Sequence, residues 1–399
     1  MLLNKNKVTG NDNCSAMFSN CSSIVHQLLS WRDVMREKYL NKLVNILHDK
    51  KMDAILIAPS EEMEFIMGHN THLCERFQAL IIKNDGTYFY ICNLLTVDEV
   101  QAVLGPDIKV YGWFDGDVFT DTVKKAFEEN GLIGKTIGVN STERAFLILQ
   151  IMEAVDVKFV NGKPLLEEMR MIKDEVELEN LRIAARITDE SYEELLKFIR
   201  PGIKEADIAR KMNEIFKEKG AEEGFTMVCS GPNSSYPHYN SDQRIIQEKD
   251  VIVLDWGCKY NDMCADMSRT VFVGDITEEE RKVYEIVLAS QEAGEKAAVE
   301  GAYIPDVDKA SREIIEKSGY GKYFLTRLGH GIGYSVHEAP DIKASNKRNL
   351  EKGMVFSIEP GIYIAGKFGM RIEDIVAVTE NGNEVLNKAS KEIKIINNL

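Results

Sequence analysis

Residues 251–273, VIVLDWGCKYNDMCADMSRTVFV, read as two β-rich runs joined by a polar turn at Asn261 and Asp262. Each run carries one carboxylate, Asp255 or Asp266, among apolar neighbours. The two lie 11 positions apart with their midpoint between Tyr260 and Asn261. That spacing predicts a hairpin in which they sit opposite or nearly opposite each other, with Cβ atoms about 4.5–5.5 Å apart. An unpaired charge in such a run is expensive to bury. A cation, or a pair of cations, is the simplest general explanation.

Further along, MVFSIEPGIYI (354–364) and MRIEDIVAV (370–378) repeat the arrangement. Glu359 and Glu373 are 14 apart, and their midpoint is Gly366 in the turn segment AGKFG. Facing carboxylates repel, and one pKa rises sharply unless a cation sits between them. Two such hairpins, if they converge, place four carboxylates around a space suited to two metals about 3.5–4 Å apart. The competing reading makes these acids the solvent-facing positions of half-buried strands. His330 favours the metal: LTRLGHGIGYSVHEAP (325–340) surrounds it with Gly329, Gly331 and Gly333, which permit close backbone approach and an open substrate channel. A histidine with four carboxylates fits Mn, Fe, Co or Zn better than Ca, which prefers oxygen ligands throughout.

The rest of the chain sets the frame. Its 399 residues exceed the usual size of a single core, and its composition, 44% hydrophobic and 28% charged, is that of a folded protein. A formal net charge of -15 works against nonspecific binding to nucleic acid or to an anionic membrane. No run reaches 18 apolar residues, and the first 30, rich in Asn and Ser, lack the apolar core of a signal peptide. A cytoplasmic protein is expected. The seven cysteines form no CxxC pair and are read as free thiols, with Cys258 or Cys264 packed behind the site.

Three segments are expected: an extension over 1–32, an α/β domain over 33–162 and a catalytic domain over 163–399. In the first domain, strands at 54–58, 79–82, 87–92, 108–112 and 136–139 alternate with helices near 96–104, 118–130 and 143–154. It has no glycine-rich phosphate loop. His69 and His72, in a polar loop, are read as surface residues. The second domain opens with a long helix over 174–200, closed by Pro201-Gly202. Helices at EADIARKMNEIFKEKG, after the Thr277/Glu280 capping box, and at PDVDKASREIIEKSG follow, interleaved with mostly antiparallel strands. The fold class is α+β.

The segments LDWGCKYNDMCADMSRT, LGHGIGYSVHE, SIEPGIY and MRIED resemble the metallopeptidase family that includes prolidase, aminopeptidase P and methionine aminopeptidase, whose catalytic domain has the pita-bread fold. The resemblance is strong from about 165 to 395 and weaker in the N-terminal domain. It implies two divalent metal ions, Mn foremost, with Co, Fe or Zn as alternatives. Asp255 would hold one ion, Asp266 and Glu373 would bridge both, and His330 and Glu359 would complete the ligands of the second ion. It gives His238 and His337 roles near the scissile bond, and Arg371 a role in pairing with site or substrate carboxylates. It also implies a homodimer.

The implied reaction is hydrolysis of the peptide bond preceding proline. Glu359 would accept a proton from the attacking water and pass it to the leaving nitrogen. His337 or His238 would stabilise the oxyanion. Because the proline nitrogen carries no hydrogen, recognition must rest on shape, with Phe225, Tyr236 and Tyr334 as candidates for an apolar wall. The aromatic positions of the family's N-terminal domain do not align readily with GHNTHLCERF (68–77). An Xaa-Pro dipeptidase (prolidase) and an Xaa-Pro aminopeptidase acting on longer peptides therefore both remain open. The rivals are a creatinase-like hydrolase and a non-catalytic binding protein on the same fold, both of which have generally lost ligands that are intact here.

Overall fold

The structure is a computed structural model that describes residues 37–68, 72–105, 108–239 and 243–397. The extension expected over 1–32 lies outside the described residues, as does His69. Internal contacts divide the chain into one unit ending at Met169 and another starting at Arg170.

The first unit follows the expected alternation closely. A helix over residues 37–49 precedes a six-stranded sheet in the order Lys109–Trp113, Tyr88–Asn93, Ala79–Lys83, Ala54–Ile57, Thr136–Val139, Lys158–Asn161. Ala54–Ile57, buried at every position, sits in the interior of the sheet, as an unbroken apolar run should. It pairs antiparallel with Ala79–Lys83 and parallel with Thr136–Val139. The last strand, Lys158–Asn161, has no counterpart among the expected elements; half-exposed and only four residues long, it shows little periodicity.

In the second unit, helix Glu175–Leu195 starts where Asp174 accepts hydrogen bonds from the backbone of Val176 and Glu177 while Glu177 returns one to the Asp174 amide. It ends at Leu195, before the expected Arg200, and the chain turns ahead of Pro201. Helix Glu278–Ala297 opens with the expected Thr277/Glu280 capping box. Among the described residues no helix is long and apolar enough to cross a membrane.

Two five-stranded sheets carry the site. One runs Lys394–Ile396, Met267–Val273, Val251–Tyr260, Glu222–Ser230, with Met263–Cys264 also paired to Val251–Tyr260. The other runs Glu338–Ile342, Gly329–Gly331, Val355–Ile358, Asp374–Thr379, Gly382–Val385. Only the pairing of Met267–Val273 with Lys394–Ile396 is parallel. Buried side chains fill the space against the helices in two clusters, one around Trp256, Phe216 and Ile375, the other around Tyr284, Phe356 and Ile358.

Candidate metal centre

The first hairpin has a register that moves the expected pair off direct opposition. Asp255 pairs with Ser268, and Met267 with Trp256, so Asp266 lies one residue before its strand and diagonal to Asp255. The reason is the turn: Asn261 and Asp262, both with positive φ, form the whole connection, Tyr260 pairs with Met263, and the same register runs unbroken to Asp255 and Ser268. Diagonal neighbours on one face remain within reach of each other. The residue taking the opposed place, Ser268, was not singled out from sequence. Its signal was available, since it stands two positions after Asp266 and shares its face.

The second hairpin keeps its register. Ile358 pairs with Asp374, and beyond a break at Pro360 the chain continues as the ribbon Gly361–Ile364 with Phe368–Arg371, where Gly361 pairs with Arg371. Glu359 and Glu373 occupy facing ends of that break. An isolated bridge joins the hairpins: the Glu373 amide donates to the Ser268 carbonyl at 3.1 Å.

His330 enters between them on the short strand Gly329–Gly331, which pairs with neighbours on both sides. A Cβ on Gly329 would stand 1.8 Å from the Ser357 carbonyl oxygen, and one on Gly331 2.3 Å from the Ala339 carbonyl group. Both flanking positions therefore demand glycine for the strand to reach the site at all.

One ligand atom from each of Asp266, His330 and Glu373 lies within 4.8 Å of the others, and all three residues are buried. His330 Nε2 stands 3.3 Å from Glu359 Oε1 and 3.6 Å from Asp266 Oδ2. Its Nδ1 lies 3.1 Å from the Gly331 carbonyl, which can only accept, so Nδ1 carries the proton. Burial pushes the imidazole pKa down to about 4, so the ring is neutral near pH 7. A neutral ring protonated on Nδ1 turns the Nε2 lone pair toward carboxylate oxygens, an arrangement that is repulsive unless a metal cation, or a proton on one of the acids, lies between them.

The carboxylates say the same. Asp266 Oδ1 and Glu373 Oε1 are buried without a hydrogen-bond partner among the described residues. Burial, then the charge of Glu373, raises the Asp266 pKa well above its ordinary value; burial, then Glu359, does the same to Glu373. Burial also raises Glu359. Two orphaned acceptors, an imidazole lone pair and crowded acids form a donor set for divalent metal.

Asp255 is tied into the group by hydrogen bonds. Arg371 Nη2 donates to its Oδ2 at 2.5 Å, and Ser268 Oγ lies 3.1 Å from its Oδ1 and 2.5 Å from Glu373 Oε2. The serine hydroxyl can give its proton to one of the two at a time, and it accepts from Arg371 Nε at 2.8 Å. Arg371 is buried and also donates to Tyr363 Oη at 2.8 Å. Tyr363 carries no periodic or spacing signal that sequence reading could have used.

Asp255, Asp266, His330, Glu359, Arg371 and Glu373 line a cavity of about 730 Å³ that His238, His337 and Phe225 also line. The His337 ring meets His330 edge-on at 4.3 Å between centroids. Partial burial, then the neighbouring His330, pushes its pKa down to about 4. Two of the three expected wall residues do not line this cavity: Tyr236 is exposed and stacks on Tyr239, and Lys259 lies over the Tyr334 ring. Cys258 and Cys264 do not line it either; they point their thiols at the carbonyls of Ala184 and Tyr334. His72, read as a surface residue, is exposed.

Residues 179–380 match the family model described as metallopeptidase family M24, and residues 40–172 match the creatinase/prolidase N-terminal domain. The chain belongs to metallopeptidase family M24. It is a two-domain metallopeptidase with the pita-bread catalytic fold. Similar solved structures include a dipeptidase from Pyrococcus horikoshii OT3, 35% identical with a TM-score of 0.80, covering 90% of this chain and 99% of that one. A prolidase from Thermococcus sibiricus is 34% identical, TM-score 0.82, covering 89% and 98%. An X-Pro aminopeptidase from Thermotoga maritima MSB8 is 32% identical, TM-score 0.76, covering 90% and 99%.

Proposed function

We propose that this M24 peptidase is an Xaa-Pro dipeptidase that works with two divalent metal ions, Mn foremost, held by Asp255, Asp266, His330, Glu359 and Glu373. The observation that carries the metal reading is the His330 Nε2 lone pair aimed at Glu359 and Asp266 beside two orphaned carboxylate oxygens. The proline specificity is supported by the likeness to the prolidase, and the dipeptide length by the likeness to the dipeptidase.

When bound, such ions polarise a carbonyl and bring the pKa of a water toward neutrality. The chain supplies the rest. Glu359, mostly buried in the cavity wall, accepts the proton of the attacking water and returns it to the leaving proline nitrogen. His337 and His238 line the cavity where a carbonyl oxygen gains charge, and donate to it. Arg371 orients Asp255 directly and Glu373 through Ser268, fixing which oxygen faces the cavity. Phe225 supplies apolar wall for the proline ring.

The aminopeptidase P reading rests on the likeness to the X-Pro aminopeptidase and differs only in the length of peptide accepted. A homodimer is part of the proposal: Phe146, Leu149 and Met152, exposed along helix Ala145–Ala154, give the first unit an apolar face for a second copy. So is a cytoplasmic location. The test is hydrolysis of Xaa-Pro dipeptides and Xaa-Pro-Xaa tripeptides with added Mn, Co, Fe or Zn. Metal-dependent release of proline from the dipeptide is expected. Absence of hydrolysis with every metal, or undiminished turnover after chelation, contradicts the proposal.

A further inference from the structure

The metal-ligand candidates sit in or beside paired strands, whereas His238 is carried, exposed, on the irregular stretch after strand Glu222–Ser230. Its place at the cavity therefore depends on what holds residues 230–239.

That stretch is a closed loop. Cys229 points its thiol at the Tyr239 carbonyl at 3.6 Å, so the two ends meet. On one side the loop rests on the ribbon of the second hairpin. The Gly369 amide donates to Ser234 Oγ at 2.9 Å, the Gly366 amide to Ser235 Oγ at 3.3 Å, and Arg371 Nη1 to the Pro237 carbonyl at 3.3 Å. A Cβ on Gly369 would stand 2.0 Å from the Ser234 carbonyl oxygen, so the two backbones touch. The other side rests on one carboxylate, Glu205.

Glu205 opens helix Glu205–Glu218, is 1% exposed and does not line the cavity. Its Oε1 accepts from the Ser230 amide at 2.6 Å and from Ser230 Oγ at 2.7 Å, and Asn233 Nδ2 lies 3.2 Å from Oε1 and 3.1 Å from Oε2. Ser230 Oγ itself accepts from Arg244 Nη1 at 2.6 Å, so its own proton goes to Glu205. Arg244 is in turn held by both oxygens of Asp250. The carboxylate thus receives three donors, all from the first four residues of the loop, and none of these belongs to the helix that Glu205 opens. A buried carboxylate is costly unless its hydrogen bonds are made, and here those bonds fix the loop.

We propose that Glu205 is a positioning residue for hydrolysis: by anchoring Ser230 and Asn233 it fixes the loop whose far end presents His238 to the substrate carbonyl. This rests on the peptidase reading given above, in which His238 donates to the oxygen that gains charge. The role is one of placement, since a group displaced by about 1 Å from its reacting partner forfeits up to about a hundredfold in rate.

The test measures kcat and KM for Ala-Pro with Mn, metal retained after dialysis, and hydrogen exchange of residues 230–239, in Glu205→Ala, in Asn233→Asp and in the swap of Glu205→Gln with Asn233→Asp. Asn233→Asp sets two acceptors against each other, and the swap restores the pairing with the roles exchanged. Glu205→Ala is expected to lower kcat about ten- to a hundredfold, with KM within about threefold, unchanged metal content and faster exchange confined to the loop. Asn233→Asp should lower kcat by about tenfold, and the swap should return it to within about threefold of wild type. In a His238→Ala background, Glu205→Ala should lower kcat further by less than about threefold, because both changes remove the same interaction. Wild-type kcat in Glu205→Ala, or the full loss repeated in the His238→Ala background, overturns the positioning role and leaves the peptidase reading intact. If Glu205→Ala does not fold, wild-type kcat in Asn233→Asp, or a swap as impaired as Asn233→Asp alone, overturns it equally. A His238→Ala variant as active as wild type does so too. Hydrolysis of Ala-Pro by no metal-loaded form of wild type removes the peptidase reading itself, and the positioning role with it, however the loop exchanges.

Discussion

Replacing Glu373 by glutamine should have opposite effects on the metal-free and metal-loaded protein. The facing ligand atoms of Asp266 and Glu373 lie within 4.8 Å. Two full charges at that distance repel by about 3.5 kcal/mol at an effective dielectric constant near 20. Glutamine removes the charge but can still accept from Ser268 Oγ, now 2.5 Å from the carboxylate. It gives up the weaker attraction to Arg371 Nε at 3.9 Å. The net expectation at pH 8, with chelator present, is a gain of about 1–3 kcal/mol in unfolding free energy.

The pH dependence follows from the direction of the shifts. Asp266 and Glu373 have folded pKa values raised above their unfolded ones, by burial first and then by a neighbouring carboxylate, Glu373 for Asp266 and Glu359 for Glu373. Metal-free wild type is therefore favoured below the ordinary carboxylate range and loses stability as pH rises through the raised values. The advantage of Glu373→Gln should shrink toward pH 4.5. With metal at about a hundred times its Kd, wild type gains about 2.7 kcal/mol, while the variant, lacking one anionic ligand, gains much less. Urea unfolding at pH 5, 6.5 and 8, with chelator or with Mn, reads all of this. A variant less stable than wild type in chelator at pH 8, or stabilised by Mn to the same extent, refutes the reasoning.

Ser268→Ala should lower metal affinity about 10- to 100-fold by freeing Glu373 and Asp255 to turn, measured by competition with a chelating dye. Gly331→Ala forces a Cβ to 2.3 Å from the Ala339 carbonyl group, so a loss of at least about 1–3 kcal/mol in urea unfolding is expected, with loss of retained metal. Glu338→Ala leaves Lys173 buried without its carboxylate and should cost about 3–5 kcal/mol, with lowered activity because His337 is its chain neighbour.

Much of this was legible in the sequence because the chemistry is periodic. Charges inside the apolar strands around Asp255 and Glu359 announced the site carboxylates, and the Thr277/Glu280 capping box announced a helix start. The Glu359–Glu373 spacing gave facing positions because the register of that hairpin stays constant across Pro360. The Asp255–Asp266 pair sits diagonal and not directly opposed, since the hairpin is centred on the two-residue turn Asn261-Asp262 and not on the midpoint of the two carboxylates. Ser268 and Tyr363 were missed for a general reason. A neutral side chain that orients a charged one is ordinary in sequence, and only its contacts reveal it. The wall expected from Tyr236 and Tyr334 failed because aromatic type says nothing of direction, and both rings face away to other partners.

The central claim, that Asp255, Asp266, His330, Glu359 and Glu373 together hold divalent metal, is tested most directly by equilibrium dialysis against Mn with elemental analysis of the protein. Wild type should retain about two ions per chain, the occupancy of a paired site, and His330→Ala markedly fewer. A wild-type protein that retains no ion, or a His330→Ala variant that retains as many, contradicts it.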